Sequence, residues 1–128
     1  MSNKIKINHI EWKSDQLLMY SDDKSGTQKS LTATGRVLAD SDDLAFIYIL
    51  ETEQEYVYIS IPSDYWIDLK KVMEGNHEVI LHIHNETIIL EGILEELQYL
   101  ISNIEGNSNY GTEMVDKVEQ IFLAPKNV

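Results

Sequence analysis

Between Leu44 and Pro62 the chain reads LAFIYILETEQEYVYISIP, two runs of β-branched and aromatic residues separated by ETEQE. Such composition fits a pleated, buried surface, so the stretch predicts two strands, Leu44–Leu50 and Glu55–Ile61, joined as a hairpin. Centring the turn on Glu53 sets Ala45 opposite Ile61, Ile47 opposite Ile59 and Ile49 opposite Val57. Because side chains alternate across a strand, the reverse face then carries Phe46, Tyr48, Tyr56 and Tyr58. One face is aliphatic and suited to anchoring helices, and the other is aromatic. A slip of one residue in either strand would mix the two sets. An isolated hairpin is marginal in water, so both faces need cover from elsewhere.

The flanking sequence supplies candidates. Lys4–Trp12 changes the parity of its apolar residues around Asn8 and His9, which predicts a bulge or bend, followed by a second strand over Gln16–Ser21. Asp22–Ser30 is polar and reads as a mobile loop; Leu31–Ala39 can hold a further strand ending at Val37–Ala39. After Pro62, Ser63 is placed to cap a helix whose stripe is Tyr65, Trp66, Leu69, Val72 and Met73. A second hairpin follows, turning at Asn85-Glu86, with Ile83 against Ile88, Leu81 against Leu90, His84 against Thr87 and His82 against Ile89. Ile93, Leu94, Leu97, Leu100, Ile101 and Ile104 predict an amphipathic helix ending at Gly106. Thr112 is placed to cap a last helix, with Met114, Val115, Val118, Ile121 and Phe122 on its stripe and Pro125 closing it. Strands first and helices later predict an α+β protein: a mainly antiparallel sheet built from hairpins, with about three helices packed on one face.

Length and charge narrow what such a fold does. The 128 residues suit one globular domain, residues 1–128. Ten basic against 22 acidic residues give a formal charge of −12, which disfavours nucleic acid and anionic membranes and, where it bears on partners at all, favours a basic protein. The absence of cysteine removes disulfides, thiolate nucleophiles and cysteine-bound zinc. No signal-peptide pattern or membrane-length apolar run is found, so a cytoplasmic protein is expected.

The residues VLADSDDLAFIYILE (Val37–Glu51), YVYISIP (Tyr56–Pro62) with Trp66, LEGILEELQYLISNIEGN (Leu90–Asn107) and NYG (Asn109–Gly111) resemble a small uncharacterised protein family of Bacillus- and Staphylococcus-type bacteria. The resemblance covers most of the chain from about Leu31. It implies a cytosolic bacterial protein of unknown function and brings no activity, cofactor or catalytic residue with it.

Candidate chemistry is sparse. His82 and His84 project from one face of one strand, with Glu86 next on that parity, and can form part of a metal or small-ligand site; a solvated strand face is the plainer reading, since such a site needs at least three protein ligands. Asp40, Asp42 and Asp43, like Asp22 and Asp23, lack calcium-loop spacing and read as turn residues. No GxSxG, Walker A, GxGxxG or HExxH motif is present, which argues against an enzyme; no cofactor is called for. In GNSNYG the amides around Asn107, Asn109 and Gly111 can hold a small anion, against the plainer reading of a tight helix–helix connection. The expected role is therefore a non-enzymatic interaction module, meeting an unknown protein partner or a second copy of itself through Phe46, Tyr48, Tyr56 and Tyr58. The alternative is a metal- or small-ligand-binding protein using the strand histidines. Whether the aromatic face is open or covered decides the first reading.

Overall fold

The parity change at Asn8 marks the place where the chain passes from one sheet to another. In the computed structural model, which describes residues 4–21, 30–83 and 86–123, β1 (Lys4–Lys6) lies parallel to β6 (Tyr56–Pro62), whereas β2 (His9–Lys13) runs antiparallel to β3 (Gln16–Tyr20). Ile7 still donates to Ser60 O, and Asn8 already donates to Tyr20 O, so the two residues between β1 and β2 serve one sheet each. The first sheet is completed by β4 (Thr32–Asp40) and β5 (Ala45–Glu51), in the order β1-β6-β5-β4. The second is completed by β7 (Glu78–Ile83) and β8 (Glu86–Ile89), in the order β2-β3-β7-β8. The fold is α+β, as expected, but with two mixed sheets rather than one: β1–β6 and β3–β7 are parallel and the other four pairs antiparallel. The expected loop over Asp22–Ser30 falls, apart from Ser30, outside the described residues.

Helix α1 (Trp66–Gly75) follows a 3₁₀ turn at Ser63–Tyr65, and Ser63 does not cap it. Its stripe holds, with Trp66, Leu69 and Val72 buried and Tyr65 and Met73 packed at the edge of the core. Helix α2 (Ile93–Ile104) buries Ile93, Leu97, Leu100, Ile101 and Ile104 and packs against β4. Helix α3 (Thr112–Val118) starts after Gly111 without a Thr112 cap and widens into a π turn over Glu119–Leu123. Pro125 lies outside the described residues.

One hydrophobic cluster draws on both sheets and all three helices. At its centre the fully buried Trp66 stacks on Phe46, with ring centroids 4.4 Å apart, and donates from Nε1 to Ile61 O at 3.1 Å. Phe122 adds a third ring, 6.0 Å from each of the others.

The register of the β5–β6 hairpin corrects the expectation. Ile47 pairs with Ser60, Tyr48 with Ile59 and Leu50 with Val57, one residue away from the expected partners. The cause lies in the connection. Thr52 Oγ1 accepts the amides of Gln54 and Glu55 at 3.1 and 3.0 Å, and Thr52 N donates to Glu55 O, so a threonine-built turn of four residues replaces one centred on Glu53. Phe46, Tyr48 and Leu50 therefore share the core face with Val57, Ile59 and Ile61. Ala45, Ile47 and Ile49 point the other way with Tyr58 and Ser60. In the β7–β8 hairpin the pairs are Leu81–Ile88 and His82–Thr87, two residues from those expected, a shift that leaves Leu81, Ile83 and Ile88 on one face and His82, Thr87 and Ile89 on the other, as expected. Glu86 pairs with Ile83 and so stands on the opposite face from His82.

Candidate functional site

Neighbouring strands place four rungs of side chains on the outer face of the first sheet. Thr32, Glu51 and Tyr56 form one; Arg36, Ile49, Tyr58 and Lys4 the next; Leu38, Ile47, Ser60 and Lys6 the third; Asp40, Ala45 and Pro62 the last. These residues stand outside the main core cluster, yet Ala45, Ile47, Ile49 and Ser60 are no more than 6 % exposed. The sheet is also curved. β1 and β4 are opposite edges of the sheet, about 14 Å apart if it were flat, with Lys4 and Asp40 roughly 13 Å out of register as well. Lys4 Nζ nonetheless lies 2.7 Å from Asp40 Oδ2 and 2.6 Å from Asp43 Oδ2. The outer face must curl inward until its edges come within a lysine's reach, and the aliphatic centre closes on itself.

The clasp has its own electrostatics. Hydrogen bonds to Asp40 and then Asp43 raise the Lys4 pKa above the usual lysine range, against the opposing effect of burial. Burial alone would raise Asp40, but the Lys4 hydrogen bond and charge, with the amides of Asp43 and Asp42, outweigh it and hold the carboxyl below its ordinary value. Asp42 and Asp43 are turn residues, as expected, whereas Asp40 ends β4, and Asp40 and Asp43 anchor this bridge.

Of the four aromatic residues expected on one face, the fold separates two from two. Phe46 and Tyr48 are fully buried in the main core; Tyr58 is half-buried and Tyr56 46 % exposed on the outer face. Leu38, 44 % exposed on β4, joins them across the curl. Tyr48 has a structural duty: its hydroxyl donates to Glu91 O and accepts the Gly35 amide at 3.1 Å. Burial, and to a lesser degree the Glu91 charge, push this phenol's pKa up although the Gly35 amide pulls the other way, so it stays a donor. Gly35 sits in the β4 bulge at φ +75°, and a Cβ on Gly92 (φ +77°) would come within 3.2 Å of its Cα. Glycine at both positions lets β4 meet the turn into α2, and Tyr48 pins the junction.

The histidines fall on the outer face of the second sheet. The pairing His9–Tyr20–His82–Thr87 makes a single cross-strand row. Tyr20 stacks on His82 at 5.0 Å and 11°, His9 tilts against Tyr20 at 5.4 Å, and His82 Nδ1 lies 3.3 Å from Thr87 Oγ1. Tyr20 Oη donates to Glu11 Oε1 at 3.1 Å; desolvation and that carboxylate raise its pKa. His84 lies outside the described residues, and among those described no three His, Asp or Glu side chains converge on a metal position. His77 stands apart, its ring edge-on to Trp12, whose Nε1 donates to Asp68 at 2.9 Å. The row was invisible in the sequence because it depends on the parallel β3–β7 pairing, between segments about sixty residues apart.

In GNSNYG the fold takes up the amides itself. Asn107 Oδ1 accepts from Asn109 N at 3.0 Å, Tyr110 N and Gly111 N donate to Asn107 O and Ser108 O, and Gly106 N donates to Glu119 Oε2 at 2.8 Å. The anion that loop meets is the chain's own carboxylate.

An acidic two-sheet α+β protein with no converging metal-binding cluster among its described residues is what the fold defines. The model of UPF0738, a family of unknown function, matches residues 5–122, and the chain belongs to that family. The UPF0738 protein of Bacillus cytotoxicus is 42 % identical over 123 residues, 96 % of this chain and all of that protein. That of Bacillus mycoides is 40 % identical over the same span and coverage. No solved structure matches. No helix among the described residues is long and apolar enough to cross a membrane.

Proposed function

We propose that the protein is a non-catalytic interaction module that docks a basic partner protein on the outer face of its first sheet. The observation that carries this reading is the two large apolar side chains Leu38 and Tyr56, 44 % and 46 % exposed on the outer face of the first sheet. Tyrosine supplies rigid amphipathic contact area of the kind interfaces favour. Glu51 stands beside Tyr56, Glu53 and Glu55 follow in the turn, and the chain as a whole carries −12, so a cationic surface is the complementary one. Phe46 and Tyr48, buried in the core, have no part in this surface. His82, committed to Tyr20 and Thr87, lends the metal alternative no geometric support.

The test compares wild type with the surface variant Leu38→Ser/Tyr56→Ser in capture from native cytosol and in light scattering after size exclusion. The expected result is a basic protein held by the wild type at low salt and lost by the variant, both chains staying folded. Equal capture by both removes the reading. A wild-type mass of twice the chain, abolished in the variant, replaces the basic partner with a second copy.

A further inference from the structure

A second surface lies on the helical side, where a groove of about 320 Å³ opens between α1, α2 and the turn after α3. Its floor is apolar: Ile101 is buried, Met73 and Phe122 are half-buried, and Leu123, 40 % exposed, stands at one side. What sets it apart is electrostatic. The residues lining it run from the middle to the C-terminal ends of both α1 and α2, so it reaches the carbonyl ends of two helices, where the macrodipole leaves partial negative charge. Neither helix has a basic residue in its last turn. The rim adds Glu74 and Glu105, and Lys70 is the single cation among the described lining residues. An apolar trough flanked by two glutamates and by two helix C-termini with no basic residue in their last turns is complementary to apolar anchors flanked by cations.

We infer that this groove docks an amphipathic helix bearing basic residues, supplied by a partner protein. Leu or Phe anchors one helical turn apart would enter over Met73, Ile101 and Phe122, while lysines or arginines flanking them would meet Glu105 and the carbonyl ends. The groove is small for a ligand site and open along its length, which suits a few side chains of a longer segment better than an enclosed small molecule. This surface is independent of Leu38 and Tyr56 and stands or falls separately from them.

The probe is a synthetic peptide made of two copies of LKKLLKL, titrated into the ¹⁵N-labelled full chain and followed by amide shifts. A peptide of the same pattern with Glu in place of Lys is the control. Saturable shifts confined to residues 70–74, 98–105 and 122–123 are expected with the basic peptide only. Leu123→Lys and Glu105→Lys, both at exposed positions, should each weaken binding about tenfold, the signature of losing one well-placed contact. Leu38→Ser/Tyr56→Ser should bind the peptide like wild type. Shifts scattered over the acidic surface, shifts centred on the first sheet, equal binding of the acidic control, or unchanged affinity in both lysine variants would each overturn the inference.

Discussion

The two sheets have the same number of strands and opposite relations to water. In the first, β5 is buried along six of its seven residues, so both of its faces are covered. In the second, the edge strand β2 alternates between exposed and half-buried, and the outer row runs from exposed His9 to half-buried Tyr20 and His82. A strand buried on both faces carries no alternation that tells inside from outside; a strand with one wet face does. The difference predicts where substitutions are costly, and it sets what can be read from the residues alone.

The largest contrast should come from one aromatic ring removed on each sheet. Phe46→Ala takes the stacking partner from Trp66 inside the first sheet's core and should cost about 3–5 kcal/mol. Tyr20→Ala on the second sheet's wet face should cost about 1 kcal/mol or less. Urea melts of the two variants measure the gap, and equal losses would mean that the outer face of the second sheet is covered after all.

Next in size is the junction between the sheets. Tyr48→Phe keeps the ring and removes the hydroxyl, taking a part-buried partner from Glu91 O and the Gly35 amide, which should cost roughly 1 kcal/mol. Because the folded phenol's pKa is raised, its contribution is complete below the usual tyrosine pKa and is lost as pH climbs through the folded value. The loss of stability in strong alkali should therefore be smaller in Tyr48→Phe. A variant as stable as wild type at neutral pH would remove the junction from the stability of the fold.

These contrasts explain what was legible. Helix stripes were, because Trp66, Leu69 and Val72 alternate with wet positions at helical spacing. So were the faces of β7 and β8, where His82 and Thr87 break the apolar runs and mark the outer side. The faces of β5 were not. AFIYIL has no polar position to orient it, and the decision fell to the Thr52 hydroxyl, which moved the turn by half a residue and exchanged the faces. Of the expected aromatic site, Tyr56 and Tyr58 stayed outside while Phe46 and Tyr48 went to the core. Parallel pairs such as β3–β7, and the Lys4 bridge, join residues far apart in the chain, and no local pattern announces them.

An effect of similar size tests why the first sheet's outer face is dry. If the Lys4–Asp40–Asp43 bridge holds the curl, Lys4→Met should cost about 1 kcal/mol, at the upper end for a partly exposed ion pair. The pH dependence has two limits. Asp40, lowered, contributes fully above the usual aspartate pKa, and that contribution is lost as pH falls through its folded value. Lys4, raised, contributes fully below the usual lysine pKa and is lost as pH rises through its own. The difference in stability between wild type and Lys4→Met should thus form a plateau across neutral pH and close at both ends. High salt should shrink it. A difference that persisted in acid would assign the effect to the packing of the lysine stem instead.

The smallest effect belongs to the second sheet's row. A double-mutant cycle of Tyr20→Ala and His82→Ala should return a coupling of about 0.5 kcal/mol, the scale of a cross-strand pair in water. Its sign and size matter more than its contribution to the fold. A coupling several times larger would show that the rings are desolvated in solution, and therefore that something covers this face; it would then be the second sheet, rather than the first, that hides an interface. A coupling near the expected value keeps the contrast as drawn. The second sheet's outer row is then wet surface, and the exposed apolar residues on the sheets are Leu38 and Tyr56 on the first and Ile89 on the second.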